Sequence, residues 1–386
     1  MNAELLHIGT IASGTFHLGF TSLCQWRGNY YVSYRKALSH GITPKGSIVV
    51  KTCDTAYDTP SSITDENGWL QYSHDITHPD GDCRDPRLVP TKEALWMMCG
   101  CYLPAPQYTN FSGLSNISSD NLIVTHLTYT TNGYDWAPLI PILAPQHWGW
   151  SILPLNNGYL LASYVTGKTH ESASIVLWSG QSLLNLLPLG TMYEGASIEK
   201  EDTSYRYPDR SPSEMVLYHP SPDTVACFLR TTTFMNLGIS PTSRLDWRWR
   251  TCNKEIIIDD DGTPAWYATN DMIHPSAILK TNHGWILAVR RCKPVYKAVA
   301  ARKKSQIDID HYVSTTDLYE VHGQYVKHRL TLPSGGDCAY AGLCHGINED
   351  EIFVSYYSQH EYDKQGEFGT TLPSSNIYLA NVKITP

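Results

Sequence analysis

The chain has 386 residues, 42% hydrophobic and 17% charged, with a formal net charge of −8, which is the composition of a globular protein able to bury a full core. The acidic balance argues against a general nucleic-acid binder, because such a protein needs a basic face. Tyrosine (25) and tryptophan (11) far outnumber phenylalanine (7), and flat rings with polar tips suit sheets and sugar-contacting surfaces.

The N-terminal segment has no basic region or long apolar run, so it does not indicate a secretory signal. No segment approaches the roughly 20 apolar residues of a membrane-spanning helix. We therefore expect a cytoplasmic protein with no membrane partner, and we leave open secretion after removal of a signal.

The ten cysteines are spread irregularly and contain no CxxC pair. Cys99 and Cys101 are expected to point to opposite faces of a strand, so zinc-ligand spacing is taken to be missing. The sequence therefore predicts no metal site and no cofactor, with buried free thiols in a reducing compartment.

Short β-type runs bounded by Gly, Pro, Asn or Asp follow one another along the whole chain. They predict strands over 29–34, 46–51, 94–99, 121–126, 158–163, 173–178, 225–230, 284–289, 351–356 and 376–381. The only stretch compatible with a helix is short, at 180–187. The fold class is therefore all-β.

A weak repeat accompanies these strands. The turn Thr130–Trp136 resembles the Asp-box of sialidase-like propeller blades, with degenerate copies at 51–57, 177–180 and 313–317. A spacing of about 50 to 75 residues fits four-stranded antiparallel blades with long inner loops. We predict a six-bladed β-propeller forming one domain over residues 1–386, closed by the N- and C-terminal strands, with a pair of sandwiches as the alternative.

Charged and polar groups fall at blade-like intervals where strands begin or end. Functional groups of a propeller gather on loops and strand ends at one face of the central channel. Arginines that converge there without matching acids would bind a carboxylate or sulfate through the guanidinium fork. The candidates are Arg35 with His40, the run Asp82–Arg87, Glu214, Arg230, Arg290 with Arg291, Asp337 with Tyr340, and His360 with Glu361.

The C-terminal block is the most specific stretch. The pair Gly335–Gly336 allows a close backbone approach or positive φ just before Asp337 and Tyr340, and a strand ending in Tyr357, His360 and Glu361 follows. Tyr340 is either a hydroxyl that merely pairs with Asp337 in a hairpin or a hydroxyl that contacts or attacks a substrate.

Four segments together resemble the sialidase superfamily, and more closely the bacterial sialidase-like proteins labelled exo-α-sialidase. They are Tyr34–His40, Arg84–Leu88, Pro212–Glu214 and Leu332–Leu343, the last followed by Ser355–Glu361 and Ile377–Ala380. The likeness covers nearly the whole chain and is anchored by its C-terminal block.

The resemblance implies a retaining glycosidase that removes an acidic sugar in exo fashion. Tyr340 stands where the family has its nucleophile and Glu214 where it has the base that activates the nucleophile. Arg230 resembles the second arginine of the carboxylate-binding triad. Arg290 resembles the third, with Arg291 and Arg302 as rivals. A neutral tyrosine suits an anionic sugar, because a carboxylate nucleophile would be repelled.

Two departures from the family pattern concern the N-terminal part. Thr15–Phe20 has no arginine where sialidases have one, so Arg84 supplies that guanidinium or the triad is incomplete. His40 stands at the position of the usual acid/base Asp, so the acid/base is His40 or Asp85.

Three functions follow from these residues. The first is the retaining glycosidase with Tyr340, Glu214 and His40 or Asp85 as catalytic residues. The second is a lyase of uronic-acid polysaccharides that uses His40 and Tyr340, and the third is a non-catalytic glycan-binding propeller. In each, an acidic carbohydrate is the partner, the oligomeric state is open, and the predicted substrate-binding residues are Arg35, Arg84, Arg230, Arg290, Arg291, Asp337, Tyr357, His360 and Glu361.

Overall fold

The computed structural model of the chain describes residues 1–54, 69, 72–104, 121–165, 173–194, 212–231, 235–251, 257–258, 271–296, 309–323, 325–362 and 374–386. These ranges contain 25 β-strands in six sheets and no α-helix. No helix in them is long and apolar enough to cross a membrane. The predicted all-β, six-bladed propeller is confirmed.

The first three blades follow one another along the chain, each ordered from the inside of the ring outwards. Blade 1 contains β2 (His17–Trp26), β3 (Asn29–Ala37), β4 (Ser47–Asp54) and β5 (Tyr72–Ile76). Blade 2 contains β6 (Asp82–Pro90), β7 (Leu95–Pro104), β8 (Asn121–Thr130) and β9 (Ile140–Pro141). Blade 3 contains β10 (His147–Leu155), β11 (Gly158–Val165), β12 (Ser174–Gly180) and β13 (Leu187–Glu194).

The next two blades continue this order, and the second of them has an extra strand. Blade 4 contains β14 (Met215–Ser221), β15 (Thr224–Arg230), β16 (Met235–Pro241) and β17 (Arg248–Thr251). Blade 5 contains β19 (Met272–Thr281), β20 (Gly284–Tyr296), β21 (Ile309–His322) and β22 (Tyr325–Leu332). Its fifth strand, β18 (Ile257–Ile258), lies parallel to β22 on the outer edge, whereas the other strand pairs are antiparallel.

Blade 6 joins the two ends of the chain. It contains β23 (Ala339–His345), β24 (Glu351–Ser358), β25 (Asn376–Thr385) and, as its outermost strand, β1 (Asn2–Ala12). The pairing of β1 with β25 runs from Asn2 opposite Thr385 to Ala12 opposite Ile377. The predicted closure of the ring by the terminal strands is confirmed.

The six first strands contact each other in the order β2, β6, β10, β14, β19, β23 and back to β2. They therefore surround the channel. Apolar side chains on the alternate faces of each sheet fill the spaces between neighbouring blades. Ile48 and Val50 of blade 1, for example, pack with Leu95 and Met97 of blade 2.

Two local predictions are wrong. Residues 181–186 form a turn between β12 and β13 rather than a helix, with the Asn185 amide donating to the Ser182 carbonyl (3.1 Å). Residues 313–317 lie inside β21 and not in a turn, since all five pair with β20 and the last two also pair with β22. Residues 177–180 end β12, and residues 55–57 lie outside the described ranges.

The turn after β8 has the internal hydrogen bonds that its sequence predicts. The Thr130 hydroxyl accepts from the Gly133 amide (2.9 Å). The Asn132 side-chain oxygen accepts from the amides of Tyr134 and Asp135 (both 2.9 Å). These side chains take the place of backbone partners, and Gly133 supplies the positive φ (87°) that the turn requires.

The expectation for Cys99 and Cys101 is also wrong. Residues two apart on a strand share a face, because side chains alternate. Both thiols lie on one face of β7 beside Cys83 of β6, and the three sulfur atoms are within 4.8 Å of one another. The cysteines of blade 2 therefore form a cluster despite their irregular spacing in sequence.

Candidate active site

Functional groups gather at the N-terminal ends of the inner strands. Five of the six inner strands have a register irregularity there, between 19 and 22, 84 and 87, 149 and 151, 275 and 277, and 339 and 342. A β-bulge bends its strand and redirects a side chain. Phe20, Asp85 and Tyr340 sit in these bulges with φ of 59°, 53° and 44°. Such left-handed conformations cost energy in non-glycine residues and are concentrated at functional sites.

A buried charged cluster surrounds the hydroxyl of Tyr340. That hydroxyl donates to Oε1 of Glu214 (2.7 Å) and accepts from Arg230 (3.0 Å) and Arg290 (3.2 Å). Arg230 also donates to the other carboxylate oxygen of Glu214. Blades 4, 5 and 6 thus bring together a phenol, a carboxylate and two guanidinium groups.

The two arginines set the charge state of this cluster. Burial by itself would raise the pKa of Glu214, but Arg230 and Arg290 lower it below its ordinary value, so the carboxylate is ionised. Burial and the neighbouring Glu214 raise the pKa of Tyr340, although both arginines oppose that shift. The tyrosine is therefore a neutral phenol hydrogen-bonded to a carboxylate that can accept its proton.

His274 supports Arg290 from the inner strand of blade 5. Nε and Nη2 of Arg290 lie 3.2 and 3.1 Å from Nδ1 of His274. Burial, followed by the charges of Arg230 and Arg290, holds the pKa of His274 well below its ordinary value. The imidazole is therefore neutral and accepts from the guanidinium through Nδ1.

A second cluster centres on Asp337. Its Oδ2 contacts His40 Nδ1 and lies 2.9 Å from His17 Nε2, while its Oδ1 accepts from the Tyr357 hydroxyl (2.7 Å). Burial by itself would raise the pKa of Asp337, but hydrogen bonds from both histidines depress it far below its ordinary value. The carboxylate is only 6% exposed whereas the His40 side chain is 49% exposed. Asp337 therefore holds His40, and His40 faces the solvent.

The two clusters are adjacent. Arg290 Nη1 lies 3.8 Å from Asp337 Oδ1, and the rings of Tyr340 and Tyr357 are stacked with centroids 6.4 Å apart. The Phe20 ring packs against both Tyr340 (5.3 Å) and His40 (5.2 Å). A single sugar-sized ligand over Phe20 would therefore meet both groups.

Three residues of β6 complete this face. The Arg84 guanidinium lies over the rings of Phe20 (4.9 Å) and Tyr102 (5.8 Å), and that of Arg87 lies over Trp150 (4.4 Å). Within the described residues neither forms an ion pair, and Nε of Arg84 is buried without a hydrogen-bond partner. Burial raises the pKa of Asp85 even though both arginines oppose that shift. The β6 side of the site therefore presents the guanidinium groups of Arg84 and Arg87 beside the carboxyl group of Asp85, which retains its proton more readily than an ordinary aspartate.

Arg35 lies behind the site. It is fully buried, and its guanidinium donates to both carboxylate oxygens of Asp82 (3.1 and 2.8 Å) and to the carbonyls of Ser39 (2.7 Å) and Gly41 (2.8 Å). These bonds occupy the donors that a substrate carboxylate would need. Arg35 therefore shapes the loop that carries His40, which is a positioning role in place of the predicted substrate contact.

Three more predicted residues stand apart from the cluster. Arg291 pairs with Asp271 (2.6 Å) and lies 3.8 Å from Asp317, because it points to the face of β20 opposite Arg290. The His360 ring packs against Tyr378 (4.9 Å), and Glu361 accepts from Asn376 (2.7 Å). Their contacts are structural ones within blades 5 and 6. Arg302 lies outside the described residues.

Sequence reasoning missed His17, His274, Phe20 and Trp150 as members of the site. The pairing of neighbouring strands connects one of the missed residues with site residues that the sequence did predict. Arg35 lies opposite Gly19, Arg290 opposite His274, and Tyr357 opposite Ala339, always where the second strand of a blade reaches the bulge of the first. Superposing the blades on that register would have pointed to His274.

The histidine–aspartate cluster contains groups that could bind a metal ion. His17, His40 and Asp337 offer ligand atoms within 4.8 Å of one another. However, both histidine nitrogens contact the same oxygen of Asp337 directly. These direct contacts occupy Nε2 of His17, Nδ1 of His40 and Oδ2 of Asp337, so the arrangement fits a histidine-orienting carboxylate better than an ion-binding site.

Known protein structures share this fold. Trypanosoma rangeli sialidase matches 95% of this chain with a TM-score of 0.57 at 9% identity, and this chain spans 55% of its length. Phage phi92 endosialidase matches 98% (TM-score 0.56, 9% identity, 69% of that chain). Penicillium chrysogenum alpha-L-arabinanase complexed with arabinobiose matches 97% (TM-score 0.57, 10% identity, 98% of that chain).

At this level of identity, the comparison establishes the sialidase-like propeller fold and nothing finer. No protein-family model matches the chain, and no curated protein matches it either.

Proposed function

We propose that the protein is a retaining glycosidase that releases a carboxylated sugar, with Tyr340 as nucleophile and Glu214 as its base. The observation that carries this proposal is the 2.7 Å hydrogen bond from the Tyr340 hydroxyl to Glu214, made in a buried site beside two arginines. A nucleophile within hydrogen-bond reach of its base is the geometry that covalent catalysis requires.

In the first step the Tyr340 oxygen attacks the anomeric carbon while its proton passes to Glu214. Arg230 and Arg290, which both donate to that oxygen, stabilise the phenolate character that develops on it. The bond to the leaving group breaks with its electron pair, and a general acid protonates the departing oxygen. Water then cleaves the tyrosyl–sugar bond by the reverse proton transfers.

We assign the general acid to Asp85. Its carboxyl is buried at the bulge of β6, and burial raises its pKa, so it retains a proton closer to neutral pH than an ordinary aspartate. His40 is hydrogen-bonded to an ionised Asp337 and faces the solvent, where a sugar hydroxyl or the leaving group would contact it. His40 is therefore assigned to binding the substrate.

The carboxylate of the sugar would lie between Arg84 and Arg290. Arg84 stacks on Phe20 and forms no ion pair in the described part of the chain, so its fork is available to an anion. Arg290 is next to the attacking oxygen and close to Asp337. A neutral nucleophile next to such a pocket is compatible with a negatively charged substrate.

The proposal is tested by trapping the intermediate. One structure of Trypanosoma rangeli sialidase with 2,3-difluorosialic acid is described as a covalent intermediate, so the same reagent is a suitable first probe. Intact-mass analysis should show one adduct, and peptide mapping should place it on Tyr340. Tyr357→Phe is the matched control, because that ring is also buried and stacks on Tyr340, while its hydroxyl donates to Asp337 and to no other group among the described residues. If the adduct forms on a carboxylate or survives Tyr340→Phe, the assignment of the nucleophile is wrong.

A polysaccharide lyase is the second candidate, and the His40–Asp337 contact favours it. A histidine oriented by a carboxylate can abstract the proton beside a uronate carboxylate, with Tyr340 returning a proton to the leaving group. An elimination product absorbs in the ultraviolet, whereas a hydrolysis product does not. Ultraviolet absorbance generated from uronate polymers, lost in His40→Ala and retained in Glu214→Gln, would replace the glycosidase proposal with a lyase. Glycan binding without any turnover would instead indicate a lectin.

A further inference from the structure

The cysteine cluster of blade 2 is separate from the proposed active site. Cys83 lies on β6 directly opposite Cys101 of β7, and Cys99 lies opposite His126 of β8. Opposite residues of paired strands share a face, as do residues two apart, so three thiols and one imidazole are on the same face of the sheet. The sulfurs of Cys83 and Cys101 are 3.1 Å apart, and all three sulfurs lie within 4.8 Å of one another.

The surroundings of these thiols are apolar. The cluster packs among Ile48, Leu103, Leu122 and Val124, and all three cysteines are fully buried. Three thiol groups gathered in apolar surroundings are the donor set that thiophilic cations prefer.

His126 is the imidazole on this face of the sheet, directly opposite Cys99. Its Nδ1 lies 3.2 Å from the Val124 carbonyl, and because a carbonyl can only accept, Nδ1 carries the proton. The lone pair is therefore on Nε2. A hydrogen bond from one ring nitrogen to a carbonyl is the usual way in which a ligating histidine is fixed.

We propose that Cys83, Cys99 and Cys101 form a structural site for a thiophilic metal ion, with zinc as the probe and His126 as the fourth ligand. Tetrahedral zinc–thiolate bonds of about 2.3 Å place sulfurs about 3.8 Å apart, within the spread of these three atoms. Binding displaces the thiol protons and forms three metal–sulfur bonds without any oxidation. The ion would hold β6 to β7 immediately before Arg84 and Asp85.

Two measurements test the site without using any enzymatic activity. Protein purified under reducing conditions and supplied with zinc should retain one ion per chain by elemental analysis. The apoprotein titrated with Co²⁺ should develop a thiolate-to-cobalt charge-transfer band and the intense visible absorption of a tetrahedral ion. Cys99→Ser should lose the stoichiometric zinc. Cys227→Ala, which alters an equally buried cysteine of blade 4, should retain it.

Removal of the ion by a chelator should lower the melting temperature of the wild type and of Cys227→Ala. Cys99→Ser should show no such dependence. The wild-type Co²⁺ spectrum requires no variant, so the test survives a failure of Cys99→Ser to fold. Octahedral Co²⁺ absorption alone, or zinc content unchanged by Cys99→Ser, would overturn the site. An intact mass lower than that of the reduced chain by two hydrogens, with Cys83 and Cys101 in one crosslinked peptide, would also overturn the site, because that result assigns the pair to a disulfide.

Discussion

Replacing Tyr340 by Phe removes one oxygen atom from the centre of the buried cluster and leaves the ring in place. The ring contacts with Phe20 (5.3 Å) and Trp150 (5.8 Å) remain, and so does the ion pair between Glu214 and Arg230. Three hydrogen bonds are lost. Their three partners stay paired elsewhere, Glu214 with Arg230 and Arg290 with His274, so the free energy of unfolding should fall by only about 1–3 kcal/mol.

The effect on catalysis should be far larger. Without the phenol the sugar has no atom to bond to, and hydrolysis would depend on direct attack by water. We expect kcat to fall by roughly 10³-fold or more, which corresponds to about 4 kcal/mol of activation free energy. Affinity for the acidic sugar should stay within about tenfold, or 1.4 kcal/mol, because the arginine pocket is intact.

The assay combines steady-state hydrolysis of aryl α-glycosides of sialic acid and related acidic sugars with calorimetric binding of the free sugar. Tyr357→Phe, which loses a buried hydroxyl of the same kind, should retain most of its kcat. A Tyr340→Phe protein that is folded and still turns over within tenfold of the wild type would refute the assignment of Tyr340. Equal losses of kcat in Tyr340→Phe and Tyr357→Phe would indicate a general packing effect.

Three further predictions use the same substrates or the same protein. Glu214→Gln should lower kcat by about 10²–10⁴-fold because the amide cannot accept the tyrosine proton, and unchanged kcat would contradict its role as base. Asp85→Asn should remove the alkaline limb of the pH profile of kcat/KM, because the general acid must be protonated and its raised pKa places that limb above the ordinary carboxylate range. Hydrolysis of substrates with poor leaving groups should slow most, and an unchanged alkaline limb would exclude Asp85 as the acid. The pKa of His274 is lowered in the folded state, so at acidic pH the folded protein binds fewer protons than the unfolded chain. The contribution of His274 to the free energy of unfolding is therefore complete above about pH 6.5. It decreases below that pH by up to about 1.4 kcal/mol per pH unit. His274→Gln should flatten this acid dependence in urea unfolding followed by fluorescence, and an identical slope in both proteins would refute it.

The fold was predictable because it depends on local patterns. Alternating β-type runs such as 94–99 and 376–381 become strands of the propeller, and the even spacing of such runs indicates radial repetition. Two predictions that rested on one short stretch were wrong. Residues 180–187 have too few residues between two strands to form a helix, and residues 313–317 are held within β21 by their pairing with β20.

The site was predictable only in part. Tyr340, Glu214 and Arg230 were found because short motifs of this sequence resemble those of a known family. The role of Arg35 was not visible, because its partner Asp82 is 47 residues away and the ion pair forms only when two blades meet. His17 is 320 residues from Asp337, so no local pattern connects them. Contacts between blades, which the sequence does not display, decide which arginines remain available to a ligand.

The closure of the ring determines when the candidate active site can form. The sixth sheet is built from the first strand and the last three strands, and residues 2–12 pair with 377–385. Tyr340 belongs to that sheet and Asp337 lies just before its first strand, so their surroundings form only once the sixth sheet is assembled. Pairings that span the full length of a chain carry a large loop-closure entropy and form late in folding. Blades 1 to 5 can therefore form before the sixth sheet is complete, and the residues around Tyr340 come together only when β25 pairs with both β24 and β1.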